Sequence, residues 1–282
     1  MNKINYLETI SRRTSVRNFG RELPSQAVFD QVRIILESVI QGPFGSPLRF
    51  GLLDQSSFEM GNLKGNGTYG MIKNARFYIA GALEPGHLAM VDFGYAFEKI
   101  ILDCTNLGLG TCWMAGTFKR DLFGGNFKLS PTEILPAISP VGLEVRENRL
   151  KMKLIMGFLG VRKRKKFSEL FFDGQIGAPL DPTTLGPWLQ VLEAVQQGPS
   201  ASNKQPWRIL RMGQAWHFLM DEDRVYNSLL APIKPQDMDL GIALCHFALG
   251  AKELNLPGSL QILPAAPSIP GMEKYRYVAS WV

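Results

Sequence analysis

Residues 36–43 read Leu-Glu-Ser-Val-Ile-Gln-Gly-Pro, and residues 192–199 read Leu-Glu-Ala-Val-Gln-Gln-Gly-Pro, so six of eight positions are identical. Each copy ends an amphipathic pattern that predicts a helix, over Ser25–Gln41 in the first case and Pro182–Gln197 in the second. Gly-Pro is a typical stop signal for such a helix. A Pro-x-Arg-apolar sequence, which predicts the start of a strand, follows shortly after each Gly-Pro. The same helix, loop and strand are therefore encoded twice.

A second pair of similar segments lies further along the chain. Asp92-Phe-Gly-Tyr-Ala-Phe97 corresponds to Asp239-Leu-Gly-Ile-Ala-Leu244, and both segments show the apolar spacing of a helix. The aspartate of each would lie near the helix N-terminus, where a carboxylate is favourable. Both pairs are separated by roughly 150 residues and occur in the same order. Two ordered pairs at a similar offset indicate an internal duplication.

Each half of the chain therefore has the coarse pattern helix, Gly-Pro loop, two strands, long helix and further strands. The predicted strands are Arg49–Leu53, Ala75–Leu83, Gly110–Met114 and Ile134–Leu143 in the first half, and Arg208–Met212, His217–Met220, Ser259–Leu263 and Tyr275–Val282 in the second. Helices intermixed with hairpin-like strands predict an α+β fold with mainly antiparallel sheets flanked by helices. We place the first half at residues 1–165 and the second at residues 166–282. The joining segment, Val161–Pro182, is basic and then apolar, which predicts that it packs on the protein.

Composition excludes several classes of protein. The 282 residues are 45% hydrophobic, 20% charged and 10% aromatic, which is not typical of disordered, collagen-like or coiled-coil chains. No apolar stretch is long enough to span a membrane, and the polar N-terminus lacks the core of a secretion signal, so we expect a cytoplasmic protein. The three cysteines and three histidines predict buried reduced thiols and no metal site. The net charge of +6 suits an anionic partner, either nucleic acid or a phosphate-bearing cofactor.

The two halves differ in the residues that could bind a phosphate. The first half opens with Arg12-Arg-Thr-Ser-Val-Arg-Asn-Phe19, whose guanidinium groups and hydroxyls can donate charge-assisted hydrogen bonds to phosphate oxygens. The corresponding Gly174–Leu180 of the second half has no cation. Conversely, the second half has the full loop Gly198–Trp207, whereas Gly42–Leu48 is three residues shorter and lacks its asparagine. Each half therefore retains one of two complementary motifs.

Three segments resemble motifs of the FMN-dependent nitroreductase family. Arg13-Thr-Ser-Val-Arg17 with Phe19 looks like the N-terminal flavin-phosphate motif of that family. Pro199-Ser-Ala-Ser-Asn-Lys-Gln-Pro-Trp207 resembles its loop-to-strand signature, and Asp92 through Met114 resembles its central helix and following strand. The resemblance covers most of the chain in split form. It implies a nitroreductase-like fold that is duplicated within one chain as a pseudo-dimer.

Members of that family are built from two identical subunits that hold FMN at their interface. The resemblance therefore implies one composite FMN site in this chain, made by both halves. The implied cofactor-binding residues are Arg13, Ser15 and Arg17 at the phosphate and the polar edge of the flavin, Arg162 and Arg164 closing on the phosphate, Trp113, Met114, Ala115 and Gly116 against the ring, and Pro199, Ser200, Ala201, Ser202 and Asn203 along the ribityl chain and ring. Some relatives have a carboxylate where Ala115 stands, so that group has no counterpart here.

The implied function is an oxidoreductase that passes electrons from NADH or NADPH through FMN to a small acceptor such as a nitroaromatic or quinone. No catalytic acid or base is implied, and we expect a monomer that contacts neither membrane nor nucleic acid. A flavin-binding regulatory module with little turnover is the main alternative. A nucleic-acid-binding protein is a weaker one, because the basic run 162–166 has no interleaved aromatic residues and no helix-turn-helix pattern. Gly65–Gly70 spells a dinucleotide fingerprint, but it precedes a predicted strand and not a helix.

Overall fold

A computed structural model describes residues 4–58, 67–145 and 164–282. The helices described are α1 (Tyr6–Arg12), α2 (Gln26–Ser38), α3 (Ala89–Asn106), α4 (Arg120–Phe127), α5 (Phe167–Leu170), α6 (Trp188–Gln196), α7 (Arg224–Leu229) and α8 (Pro235–Glu253). The strands described are β1 (Leu48–Asp54), β2 (Phe77–Leu83), β3 (Gly110–Thr111), β4 (Ile138–Gly142), β5 (Phe171–Asp173), β6 (Trp207–Met212), β7 (Ala215–Met220), β8 (Leu260–Gln261) and β9 (Arg276–Trp281).

The two helices predicted from the first repeat form with one interruption. Ser25 caps α2 by accepting a hydrogen bond from the Val28 backbone N–H, as expected of a serine at that position. The second helix was predicted as one segment from residue 182, but it divides into a 3₁₀ turn at residues 182–184 and α6. The interruption lies at Gly186, whose φ of +53° is incompatible with a continuous right-handed helix, and Pro187 follows it.

The strands form two sheets with the same internal order. The first sheet has the order β1-β2-β4-β3, and the second has β5-β6-β7-β9-β8, so that its last four strands follow the order of the first sheet. All described pairs are antiparallel except β5 with β6, which confirms an α+β fold with mainly antiparallel sheets. The predicted strand from Ile134 begins only at Ile138, because Pro136 has no N–H to donate to a ladder. The joining segment packs as predicted, and its described part forms α5 and β5.

The long helices α3 and α8 cross in the middle of the molecule at unusually short distance. A Cβ atom added at Gly94 would lie 2.1 Å from the Met238 carbonyl oxygen, and one added at Gly241 would lie 2.1 Å from the Val91 carbonyl oxygen. Both distances are far below a normal contact, so only glycine allows the two backbones to meet here. These glycines are equivalent positions of the second sequence repeat. The repeat therefore encodes the surface on which the two halves meet.

The hydrophobic core is shared between the halves. Leu88 and Val91 of the first half belong to the cluster that is otherwise built by the second half, including Trp207 and Trp216. Met238 of the second half is buried in a cluster of the first. Each half therefore buries apolar side chains in a cluster of the other, and α3 and α8 lie within one continuous hydrophobic core. Among the helices described, none is both long and apolar enough to cross a lipid bilayer.

Candidate functional site

A cavity of about 430 Å³ lies between the two halves, beside the crossing of α3 and α8. Small-molecule sites typically enclose roughly 300–1,000 Å³. Ten of the fourteen residues implied by the family resemblance line it, namely Ser15, Arg17, Trp113, Met114, Ala115, Gly116, Pro199, Ser200, Ala201 and Ser202. The first six come from the first half and the last four from the second. Fold and packing therefore bring the two complementary motifs to one place.

The arginine segment reaches the cavity because it adds to the end of the first sheet. Ser15 forms a β-bridge with Thr111, and the Val16 backbone N–H donates to the Thr111 carbonyl oxygen at 2.8 Å. Cys112 follows in the cavity wall. Burial raises the pKa of the Cys112 thiol, and the nearby charge of Arg17 opposes the rise. The thiol is therefore protonated at neutral pH, and Arg17 is the cation that this segment presents to the cavity.

Arg13 does not line this cavity and instead points towards a buried carboxylate. Its Nε lies 3.8 Å from Glu98 Oε1, and both side chains are almost fully buried. Glu98 also accepts hydrogen bonds from Trp113 Nε1 at 2.6 Å and pairs with His246 Nε2 at 2.9 Å. One carboxylate thereby connects the arginine segment, the cavity wall and α8 of the other half. In the described part of the chain, the buried Arg13 Nη1 has no hydrogen-bond partner.

Arg164, at the far end of the first half, contacts the Gly198 loop of the second half. Its Nη1 donates to the Gly198 carbonyl oxygen at 2.8 Å and to Asn203 Oδ1 at 3.1 Å. Burial, and then the charge of Arg13, lower the pKa of Arg164 to about 10. Arg162, the other cation implied here, lies outside the described residues.

The loop after Gly198 is held in a conformation that few residues adopt. Ser202, Asn203 and Gln205 have φ angles of +51°, +55° and +46°, in the left-handed region that is costly for residues other than glycine. Gln205 is buried and stabilises this geometry by donating from Nε2 to the Asn203 carbonyl oxygen at 3.0 Å. Its backbone N–H donates to Ser200 Oγ at 3.0 Å. Strain maintained by a buried anchor is typical of a ligand-binding loop.

Asp239 fixes the same loop from α8 and also lines the cavity. Its Oδ1 accepts the Ala201 backbone N–H at 2.9 Å, while its buried Oδ2 has no partner among the described residues. Burial raises the pKa of the Asp239 carboxyl to about 8, and the hydrogen bond from Ala201 opposes the rise. The equivalent Asp92 in α3 accepts two backbone N–H groups, from Phe44 and Ser46, at 2.8 and 2.9 Å. The two aspartates of the repeat thus support the two Gly-Pro loops.

The family of the chain follows from comparison with known proteins. Residues 5–251 match the model of a family described as "Putative TM nitroreductase". This chain belongs to that nitroreductase family. The resemblance stated from the arginine, loop and central-helix motifs is therefore confirmed.

One solved structure shares its fold with this chain over the whole length. A structure described as a "putative nitroreductase" from Thermotoga maritima superposes on this nitroreductase-family chain with a TM-score of 0.61 and 22% identity, covering 100% of this chain and 94% of the other. A structure described as an FMN-dependent nitroreductase from Clostridium difficile matches 48% of this chain and 86% of its own, with 17% identity and a TM-score of 0.38. An oxidoreductase described as containing FMN matches 62% and 94%, with 17% identity and a TM-score of 0.45. Among curated proteins, none matches the chain.

The cavity of this nitroreductase-family protein has walls that the sequence motifs did not indicate. They include Met71, Arg120, Tyr226, Leu230, Ile233, Met238 and Ile242. Most lie in α4, α7 and α8, which no motif linked to a ligand. Asp239 was found through the repeat, but its spacing indicated only a favourable helix N-terminus. Glu98 had no sequence signal, because an isolated glutamate in a helix is normally exposed.

Proposed function

We propose that the protein is an FMN-dependent oxidoreductase of nitroreductase type, which takes electrons from NADH or NADPH and passes them to a small acceptor. The observation that carries this proposal is the buried Arg13 Nη1, a donor without a partner among the described residues, in the same segment whose Ser15 and Arg17 line the cavity between the halves. An unpaired buried donor costs free energy, and an anion that accepts from Arg13 Nη1 would remove that cost. The phosphate of FMN is such an anion.

The neighbouring residues suit the remainder of the cofactor. Arg17 and Ser15 provide a cation and a hydroxyl for the polar edge of a flavin, and Trp113 with Met114 provides an apolar wall. Trp113 is held by its hydrogen bond to Glu98, so its ring has a defined orientation. Across the cavity, the loop at 199–202 offers small and polar groups that suit the ribityl chain. The donor set therefore fits a phosphate and a flat aromatic ring.

Bound FMN supplies the redox chemistry, which is hydride acceptance from NAD(P)H and electron transfer to the acceptor. The residues of the chain bind and orient the ligands. Arg17 would stabilise negative charge near the pyrimidine edge, as preorganised cations do in active sites. Asp239 holds the loop that faces it, and apolar side chains form much of the cavity wall. With the redox chemistry supplied by FMN, the chain needs no side-chain acid or base.

We also infer that the chain is a tandem pseudo-dimer with a single flavin site, and that its halves are residues 1–165 and 166–282. We propose the cytoplasm as its compartment. The pseudo-dimer is supported by the shared strand order, by the paired glycines in α3 and α8, and by the paired aspartates. In the first half, Phe44 occupies the shortened loop and packs on the core of the second half. That loop therefore serves packing, and the chain needs no second copy to complete its site.

Spectroscopy of the purified protein tests this proposal. We expect flavin absorption at one FMN per chain, the mass of one chain by light scattering, and bleaching by NADH or NADPH that an acceptor reverses. A colourless protein after reconstitution with FMN would refute flavin binding. Flavin that is bound but not bleached would favour the regulatory alternative, and binding only by a dimer would refute the single-chain site.

Substitution of the two arginines tests the observation that carries the proposal. A hydrogen bond to a charged group contributes about 1.5–3 kcal/mol, so Arg13→Ala and Arg164→Ala should each weaken FMN binding at least roughly tenfold. Arg33→Ala is the matched control, because the Arg33 side chain is 52% exposed and no residue of α2 lines the cavity. FMN affinity equal to that of the control in both variants would contradict the assignment.

A further inference from the structure

Arg120 is a cation in the outer cavity that the flavin assignment leaves unused. It is the first residue of α4, and its guanidinium is fixed by backbone oxygens alone. Nε donates to the Leu135 carbonyl oxygen at 2.8 Å, and Nη2 donates to the Ala115 carbonyl oxygen at 2.6 Å. Its Cζ lies 4.9 Å from the centre of the Phe118 ring. These contacts hold the guanidinium in one place.

The remaining nitrogen of Arg120 is available to a ligand. Nη1 has no partner among the described residues, and it is not sealed from solvent. No carboxylate of the described chain lies within ion-pair distance of the guanidinium, and the adjacent Asp121 is exposed. Burial lowers the pKa of Arg120, which reflects the cost of keeping a half-buried cation, and the nearby charge of Asp121 opposes the fall. A ligand anion would offset that cost.

The surroundings of Arg120 are apolar and open at the rim. Met71 from the first half and Leu230 from the second are 41% and 37% exposed and line the mouth of the cavity, with Tyr226 and Ile233 beside them. Large apolar side chains exposed around a cavity indicate a binding surface for an apolar ligand. A flat apolar ring with one anionic group would match both this rim and the Nη1 donor of Arg120.

We propose that Arg120 selects an electron acceptor that carries a carboxylate on an aromatic ring. This inference rests on the proposed function, because the ring would bind in the same cavity as the flavin. Arg120 would act as a specificity-determining residue that binds the carboxylate through Nη1. A lysine here would keep the charge but lack the nitrogens that fix the arginine on the Leu135 and Ala115 carbonyl oxygens, so it would lose part of the affinity.

Equilibrium binding to the FMN-loaded protein tests the proposal without turnover. The probes are 4-nitrobenzoate and its uncharged analogue 4-nitrobenzamide, titrated by calorimetry and by the change in flavin absorption. We expect the wild-type protein to bind the carboxylate at least roughly tenfold more tightly than the amide. Arg120→Gln should remove this preference, and Arg120→Lys should retain part of it. Lys119→Gln is the matched control, since it removes a positive charge one residue away without altering the cavity wall.

The outcomes separate this inference from the proposed function. Equal affinity of the wild-type protein for the two probes overturns the inference, and this comparison needs no variant to fold. Loss of the preference in Lys119→Gln as well as in Arg120→Gln would also overturn it, because general charge would then explain the effect. If Arg120→Gln changes only the binding of NADH or NADPH, the anion belongs to the donor and the proposal fails. A protein that binds no flavin refutes the proposed function first, and this inference with it.

Discussion

Replacement of Gly94 by alanine tests whether the short crossing of α3 and α8 holds the two halves together. The added methyl carbon would lie 2.1 Å from the Met238 carbonyl oxygen and 2.7 Å from its Cα. Both are backbone atoms within a helix, so no side-chain rotation can relieve the overlap. The helices would have to move apart by about 1 Å to restore contact distance, and insertion of one methylene into a well-packed interior typically costs about 1–3 kcal/mol or more.

The expected loss of stability follows from two opposing effects. Alanine gains about 1 kcal/mol over glycine inside a helix. Because the overlap involves backbone on both sides, we take the upper end of the overpacking cost, which leaves a net loss of about 2 kcal/mol. In a chain of this size that lowers the midpoint of thermal unfolding by roughly 4–8 °C. Met238, Asp239 and Ile242 of α8 line the cavity, so the separation should also weaken FMN binding.

The assay is urea unfolding followed by far-ultraviolet circular dichroism, with FMN affinity measured by fluorescence. Gly125→Ala is the matched control, because Gly125 is an exposed residue within α4 and an added Cβ would contact nothing within 4 Å. It should stabilise the protein by up to about 1 kcal/mol. If Gly94→Ala proves as stable as the wild type, or follows Gly125→Ala, the close crossing does not determine the stability of this fold.

Two further predictions concern the loop of the second half. The raised pKa of Asp239 means that the folded protein retains a proton that the unfolded chain releases near pH 4, so the free energy of unfolding should fall as pH rises from about 4 to about 8. Asp239→Asn should flatten that dependence in urea unfolding at pH 5 and pH 8, and an unchanged slope would refute the assignment. Asn203→Ala should weaken FMN binding, because it removes one hydrogen-bond acceptor of Arg164 and places an alanine at a backbone φ of +55°. Phe44→Ala should lower the stability of the fold and leave FMN binding unchanged. Equal effects of the two on fluorescence-measured FMN affinity would mean that the wrong loop is assigned to the flavin.

Local sequence predicted the regular elements well where periodicity and end signals agree. Apolar spacing between residues that are near neighbours in the chain predicted both long helices and the beginning of the strand that follows each Gly-Pro. The predictions fail where one residue overrides the pattern. Gly186 divides the predicted second helix, and Pro136 delays the strand that ends at Gly142. In both cases backbone stereochemistry prevails over hydrophobic periodicity.

The sequence by itself determined the repeated segments, the two complementary motifs and the family, because each is encoded within short segments whose order is preserved. Only the tertiary structure decided what surrounds them. Residues far apart in the chain come together in the contact of Arg13 with Glu98, in the contact of Asp239 with the loop, and in the placement of Arg120 in the cavity. Those distances depend on how closely α3 and α8 approach, which Gly94 and Gly241 permit through the packing of one backbone on another. No local pattern predicts such an approach, because a glycine permits close packing only where another backbone lies against it in the folded structure.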